Sequence, residues 1–284
     1  MPGPLVVKLG GELLESPARL ATVVSALAGI AGLAAGPGEA GVVVVHGGGK
    51  EIDAALKAAG IETRQADGLR ITDEATLEVV VSVLAGAVNT RFVAALNTAG
   101  VAAVGLTGAD GTCGLSDAAP PHRTVDGRSV DLGRVGIPAG QADMRLLATL
   151  MAGGFVPVIA CIGLGRDGRL FNVNADTFAA HLAARLGARR LVIAGTTPGV
   201  LDEAAATVPL LEPPDIDRLI GGGTATAGMV AKLRACEHAL AHGVGDVLIV
   251  DGRDRTVFEA AATGQTPGAA TRLVTTAPTG SGPS

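Results

Sequence analysis

Val6-Val7-Lys8-Leu9-Gly10-Gly11 is a short β-type run that ends in one lysine and a glycine pair. The pattern recurs at Val42 to Val45, which opens into His46-Gly47-Gly48-Gly49-Lys50. Each stretch reads as a buried strand, a glycine turn and then a helix. Glycine lets backbone N–H groups approach a ligand closely, and a helix N-terminus behind the turn favours negative charge. Two such turns side by side make an anion site. Lys8, at the end of the first strand, adds a point charge suited to phosphate.

Outward from these turns, strand-like and helical patterns alternate for most of the chain. Continuous apolar runs at 5–8, 42–46, 102–106, 157–162, 191–194 and 247–250 fit a parallel sheet covered on both faces. Helical patterns fall at 17–34, 50–59, 72–99, 143–152, 176–186 and 230–241, and Gly60, Gly100, Gly187 and Gly243 stop four of them. This is a βαβ architecture. Residues 108–140 break the rhythm; Asp126-Gly127 signals a hairpin excursion over the sheet edge. The Pro-rich stretch 211–223 reads as a mobile loop before the last long helix. A lobe boundary is placed near Asn174, dividing 1–173 from 174–274, and the polar tail 275–284 is expected to be disordered.

Composition narrows the function. The chain has 284 residues, a formal charge of -5 and neither Trp nor Tyr. No basic stripe with interleaved aromatics is present, which argues against a nucleic-acid partner. Cys113, Cys161 and Cys236 lie far apart, with no metal-type spacing and an odd count, so a reduced, cytoplasmic compartment fits best. Cys161 sits in an apolar run and belongs in the core. The uncharged stretch 20–35 is too short and too rich in Ala and Gly for a membrane span, and reads as a buried helix. The N-terminus lacks a basic region typical of a secretory signal.

Several motifs carry chemistry. Gly163-Leu164-Gly165-Arg166-Asp167-Gly168 matches a dinucleotide fingerprint, but Asp167-Gly168 reads as a hairpin turn followed by a strand, not a helix. His46-Gly47-Gly48-Gly49 resembles a lipase oxyanion turn, yet no G-x-S-x-G elbow exists. His46 simply closes a strand. Arg70 lies just before a helix that Thr72 is expected to cap; it either forks around a carboxylate ligand or pairs with Asp67 or Glu74. Asn172 and Asn174 face the same way on a strand, and Asn174 or Asp176 caps the next helix; Asp176 could also organise lysines in a cleft. Lys232 lies early in a helix after a glycine-rich loop, where a cation is disfavoured unless an anion binds there too.

Taken in order, Lys8-Leu9-Gly10-Gly11, His46-Gly47-Gly48-Gly49, Gly68-Leu69-Arg70-Ile71-Thr72, Leu84-Ala85-Gly86-x-Val88-Asn89, Gly105-Leu106-Thr107-Gly108, Asn172-Val173-Asn174-Ala175-Asp176 and Gly228-Met229-Val230-Ala231-Lys232 resemble the amino-acid kinase family. The likeness runs from about Leu5 to Val274. The lysine-glycine-glycine start is shared across that family. Gly-Leu-Arg-Ile-Thr and Leu-Ala-Gly-x-Val-Asn are more specific to the branch that acts on acetylglutamate.

The resemblance implies a three-layer α/β/α sandwich around a central, mostly parallel sheet. It implies an N-terminal lobe for the acyl amino acid and the dimer contact, and a C-terminal lobe for ATP. Lys8 and Lys232 would bind the phosphoryl groups, and Asp176 would orient both. Gly11 and Gly48 would donate backbone N–H bonds to the transferring group. Arg70 and Asn172 would hold the substrate α-carboxylate, with Gly47 and Gly48 beside them. Gly10, Thr196, Gly199, Val200 and Met229 would line the nucleotide site with both lysines.

The implied reaction is ATP-dependent phosphorylation of the side-chain carboxylate of N-acetyl-L-glutamate, on the route to arginine. Mg²⁺ would be held by ATP and water rather than by protein ligands. A longer or carrier-linked substrate of the aminoadipate type, or a non-catalytic regulatory protein, are the alternatives. The implied assembly is a homodimer with no membrane partner. The start at Leu5 leaves no room for the N-terminal helix of arginine-inhibited hexamers, so no arginine feedback is expected. Two departures stand out. Thr196 replaces the family's usual acidic residue, which bears on nucleotide contacts and lysine orientation. Ala227 stands where Gly or Asp is common.

Overall fold

The computed structural model describes residues 3–34, 41–124, 126–221 and 227–275. Its centre is an eight-stranded sheet in the order Leu210–Leu211, Ala270–Leu273, Val247–Asp251, Arg190–Gly195, Leu5–Leu9, Val42–His46, Val156–Ala160 and Ala103–Thr107. The strands from Val247–Asp251 to Ala103–Thr107 are all parallel. Ala270–Leu273 runs antiparallel to Val247–Asp251 and parallel to Leu210–Leu211. Leu5–Leu9 is central, paired on both sides, and every residue in it is buried.

Strand periodicity sorts the apolar side chains into two cores. Leu5, Val7 and Leu9 face one side, packed with Val23, Leu27 and Ile30 of the helix Pro17–Ala34, Phe92 and Leu96 of Asn89–Thr98, and Phe258 of Arg255–Ala262. Val6 faces the other side, with Phe178 and Leu182 of the helix Ala175–Arg185 and Leu233 and Cys236 of Ala227–Ala241. Helices on both faces make the fold a three-layer α/β/α sandwich. Lys8 has the parity of Val6, so the sheet itself aims it at the helices Ala175–Arg185 and Ala227–Ala241.

The 163–168 segment is a hairpin turn, as its sequence predicts: Ile162–Leu164 pairs antiparallel with Leu170–Val173. Those strands join Val135–Pro138 and Ser116–Ala118 in a second, four-stranded sheet. The excursion also contains the expected hairpin, His122–Arg123 against Ser129–Val130.

Three local expectations are corrected. Asp73, not Thr72, caps the helix that follows, accepting the Thr76 N–H at 2.9 Å. Thr72 stands one residue before the cap; its hydroxyl donates to the Arg70 carbonyl at 3.1 Å and accepts from Asn172. The stretch read as a loop at 211–223 contains the helix Pro213–Gly221. Prolines in its first turn, Asp215 beside them and buried Ile216 explain it. The helix expected over 72–99 is helical from Glu74 to Thr98, with a π-helical segment, Ser82–Val88, in its middle. By length and composition this 25-residue helix could cross a membrane. Its Leu77, Val80, Leu84, Val88, Phe92 and Leu96 are buried in the protein instead. The expected tail disorder concerns residues that, beyond 275, lie outside the described ones.

Phe178 is fully buried on the helix that carries Asp176. Phe178→Ala is expected to cost about 3–5 kcal/mol of stability. Urea unfolding followed by circular dichroism checks it, with the midpoint falling and the slope unchanged.

Candidate active site

Parallel neighbours Leu5–Leu9 and Val42–His46 release their glycine turns at the same edge of the sheet. From Leu5–Leu9 the chain builds outward to one side first and returns later to Arg190–Gly195 on the other. Ligands of open α/β sheets bind at such a switch point, beyond the carboxyl ends of the strands. The two turns touch. A Cβ on Gly11 would lie 2.6 Å from the Gly48 Cα, so no side chain fits between them. Among the described residues, the N–H groups of Gly11 and Gly48 have no hydrogen-bond acceptor.

Lys8 and Lys232, far apart in sequence, meet on one carboxylate. Lys8 Nζ is 2.9 Å from Asp176 Oδ1, and Lys232 Nζ is 3.3 Å from the same oxygen. Asp176 is in the first turn of the helix Ala175–Arg185, which Asn174 caps by accepting the N–H groups of Asp176 and Thr177 at 3.0 and 3.1 Å. That cap fixes where the Asp176 side chain leaves the helix. All three charged groups are largely buried. Burial works against the Lys8 charge, but Asp176 outweighs it, and its pKa is raised. At Lys232, burial and the nearby Lys8 prevail over Asp176, and its pKa is lowered. Burial also works against ionised Asp176, yet the two lysines hold its carboxyl below the usual range. Within this trio two ammonium groups share one carboxylate in a place of low dielectric, with Glu12 acting on Lys8 from a distance. An anion is the natural complement.

A cleft of about 260 Å³ opens beside this trio. It brings together Lys8, Gly10, Gly11, Gly47, Gly48, Arg70, Asn172 and Asp176. Arg70 takes neither partner expected for it. Its Nη1 lies 2.6 Å from Asp53 Oδ1, and its Nη2 donates to the Gly49 carbonyl at 3.4 Å. The cause is a contact between elements: Leu69–Arg70 pairs with Gln65–Ala66 in a hairpin that swings Arg70 over the helix Gly49–Ala58, where Asp53 sits. Asp67 and Glu74 pair with His122 and Arg134 instead. Asn172 donates to Thr72 Oγ1 at 3.2 Å.

Thr196, Gly199, Val200, Met229 and Lys232 do not line that cleft. Lys232 reaches it through Asp176. Thr196 follows the strand Arg190–Gly195 and is half-buried. Its presence leaves both lysines on Asp176. Gly199 is packed against Thr271, and the Val200 N–H donates to Thr271 Oγ1 at 2.8 Å. The Val200 amide is therefore committed inside the protein. Met229 is half-buried in the helix Ala227–Ala241 and packs against the core.

Sequence reading missed Glu12 and Gln65, which also line the cleft. Glu12 stands in the short turn Gly11–Leu13, and its carboxylate fills the space above Gly10. Its only sequence signal is its position directly after the glycine pair. Cys161 is core, as expected, with burial pushing its thiol up to about 12. Among the described residues no group of three or more His, Cys, Asp or Glu could hold a metal ion.

A model of the amino acid kinase family matches residues 3–251. The chain belongs to that family. It is 40% identical over 257 residues to an acetylglutamate kinase of Novosphingobium aromaticivorans, covering 87% of this chain and 83% of the relative. It is also 40% identical over 249 residues to an acetylglutamate kinase of Methanopyrus kandleri, covering 87% and 94%. Among solved structures, N-acetylglutamate synthase from Neisseria gonorrhoeae, complexed with coenzyme A and N-acetyl-glutamate, superposes with a TM-score of 0.80 at 24% identity. That match covers 97% of this chain but 60% of the synthase, and it bears on fold alone.

Replacing Asp176 leaves two buried ammonium groups without a counter-charge. Asp176→Asn is expected to cost about 3–5 kcal/mol at pH 7. The wild-type carboxyl has a lowered pKa, so its contribution is full above the ordinary Asp value of about 3.9 and fades as pH falls through its own lower pKa. The stability gap between the two proteins should therefore narrow in acid. Urea unfolding at pH 7 and near pH 3 measures both points.

Proposed function

We propose that this protein transfers the γ-phosphoryl group of ATP to the side-chain carboxylate of N-acetyl-L-glutamate. The observation that carries the reading is the pair of lysines on Asp176 beside two touching glycine turns. The curated relatives named acetylglutamate kinase, at 40% identity over most of the chain, supply the substrate.

The residues suit that chemistry. A glutamate side chain is ionised near neutral pH, so its oxygen attacks phosphorus without a general base. The new O–P bond forms as the bond from phosphorus to the β-phosphate oxygen breaks, and ADP leaves with that electron pair. No proton moves. The difficulty is bringing one anion against another, and it is met by positioning and by charge. In this reading Lys8 and Lys232 neutralise the phosphates, and Asp176 holds both lysines in place. Gly11 and Gly48 offer their unpaired N–H groups to the moving PO₃. Arg70 and Asn172, which also line the cleft, receive the α-carboxylate, so Arg70 turns from Asp53 toward the ligand.

The donor set also fits Mg²⁺ held mainly by nucleotide and water. Asp176 is occupied by two lysines, while Glu12 at the cleft makes no side-chain hydrogen bond to a described residue. The metal, when bound, would offset phosphate charge, and Glu12 is a cleft carboxylate free to orient its waters. Residues 174–274 would carry the nucleotide and 1–173 the acyl amino acid. A cytoplasmic homodimer completes the proposal. The Glu74–Thr98 helix leaves Ala87 and Ala94 exposed, small apolar residues that suit the approach of a second copy.

A hydroxamate-trapping assay with ATP and a panel of acylated glutamates and aminoadipates tests the reading. N-acetyl-L-glutamate should give the largest kcat/KM. Lys8→Ala should lower turnover by about 10²–10³, the range seen when one transition-state donor is removed. No product from acetylglutamate, or equal rates for wild type and Lys8→Ala, would refute it.

A further inference from the structure

His46 ends the strand Val42–His46 and is fully buried, an unusual place for an ionisable ring. The phosphotransfer chemistry above leaves it without a role. Its surroundings are defined. His46 Nε2 lies 3.0 Å from Asn89 Nδ2, which is also 3.0 Å from the Val158 carbonyl oxygen. A carbonyl only accepts, so that Asn89 atom is the amide nitrogen, and its second hydrogen is directed at the ring. Nε2 is therefore the acceptor, and the ring proton sits on Nδ1. Nδ1 is 3.1 Å from the Gly47 carbonyl oxygen, to which it donates. Burial, opposed by this bond and aided by the Arg91 charge, brings the ring pKa down to about 4. Phe92 packs edge-on against the ring, and the Cys161 thiol donates to the His46 carbonyl at 3.4 Å.

Asn89 is itself held firmly. The π-helical segment Ser82–Val88 puts an extra residue into the turn. Leu84, Val88 and Asn89 are all buried as a result. The Asn89 Oδ1 fills the space above the Gly105 Cα, and Leu84 packs against the Gly48 Cα. Turning the carboxamide over would set its oxygen against the Val158 carbonyl oxygen, so that hydrogen bond fixes its orientation.

The Gly47–Gly48 peptide is planar and trans, so its N–H points away from its C=O. With that C=O tied to His46, the Gly48 N–H faces away from the ring. It has no acceptor among the described residues, and Gly48 lines the cleft. A peptide between two glycines turns over easily unless something outside it holds it.

We propose that His46 is a positioning residue for phosphoryl transfer. Its Nδ1–H holds the Gly47 carbonyl, which keeps the Gly48 N–H presented to the moving phosphoryl group, and Asn89 fixes the tautomer that makes this possible. The proposal rests on the phosphotransfer reading given above.

Two substitutions separate positioning from packing. In His46→Asn the amide nitrogen can take the place of Nδ1, whereas in His46→Gln the amide stands where Nε2 was and the bond to Gly47 is lost. Turnover of His46→Gln should fall by about 10- to 100-fold, less than the 10²–10³ expected for loss of a donor itself. KM for the acyl amino acid should stay within about twofold, and His46→Asn should turn over about tenfold faster than His46→Gln. Equal turnover in the two variants, or losses that simply follow their melting temperatures, would overturn the proposal while wild type remains active. An inactive wild type would overturn the phosphotransfer reading and this proposal with it. Nitrogen-15 NMR of histidine-labelled protein reads the tautomer without turnover. Nδ1–H at pH 7 is expected, and a proton on Nε2 overturns the assignment.

Discussion

One carboxylate shared by two buried ammonium groups organises this molecule. Lys8 comes from the central strand, Asp176 from the first turn of a helix, and Lys232 from a second helix. Each would be costly alone in that interior, where burial disfavours a charge. Together they satisfy one another in part. A purely structural ion pair would be balanced. Here one carboxylate is shared by two ammonium groups, and the Glu12 carboxylate that also acts on Lys8 makes no ion pair with either, so the lysines keep capacity for a bound anion and the cluster reads as a place of function rather than a rivet.

The fold sets that arrangement before any side chain is chosen. A central parallel strand, buried on both faces, alternates its residues between two cores. One polar residue is admitted on the face where the helix Ala175–Arg185 begins. Because neighbouring strands run the same way, their glycine turns emerge together and their backbones meet. A separate two-stranded hairpin lays Arg70 over the helix that follows the second glycine turn. The anion site is thus a property of strand order, and the residues supply its sign.

Much of this was legible in the sequence. Strand, turn and helix were marked at 6–11 and 42–50 by apolar runs that stop at glycine. The sequence narrowed the cap of the helix Ala175–Arg185 to Asn174 or Asp176, of which the structure uses Asn174, and the hairpin at 163–168 followed from Asp167-Gly168. What stayed hidden depends on contacts between distant segments. Arg70 found Asp53 because a hairpin folds over another helix, which no local spacing reveals. The helix Pro213–Gly221 was masked by prolines that read as loop formers, although they sit at its start. The π-helical segment has no periodic signature of its own. Its effect shows only when Asn89 meets His46, 43 positions earlier. Glu12 gave no sign beyond adjacency to the glycines. Its carboxylate reaches the cleft because the turn Gly11–Leu13 is tightly wound.

The contact between Gly11 and Gly48 has a wider consequence. Two hydrogen-bonded strands stand about 4.8 Å apart, and here nothing but main chain separates the loops that follow them. The aperture at that end of the cleft is therefore set by peptide geometry, and mutation cannot widen it. Only the other rim, where Gln65 and Leu69 project from a two-stranded hairpin, can be reshaped by exchanging side chains. One edge of the cleft is thus built of main chain and fixed, and the other is built of side chains and adjustable.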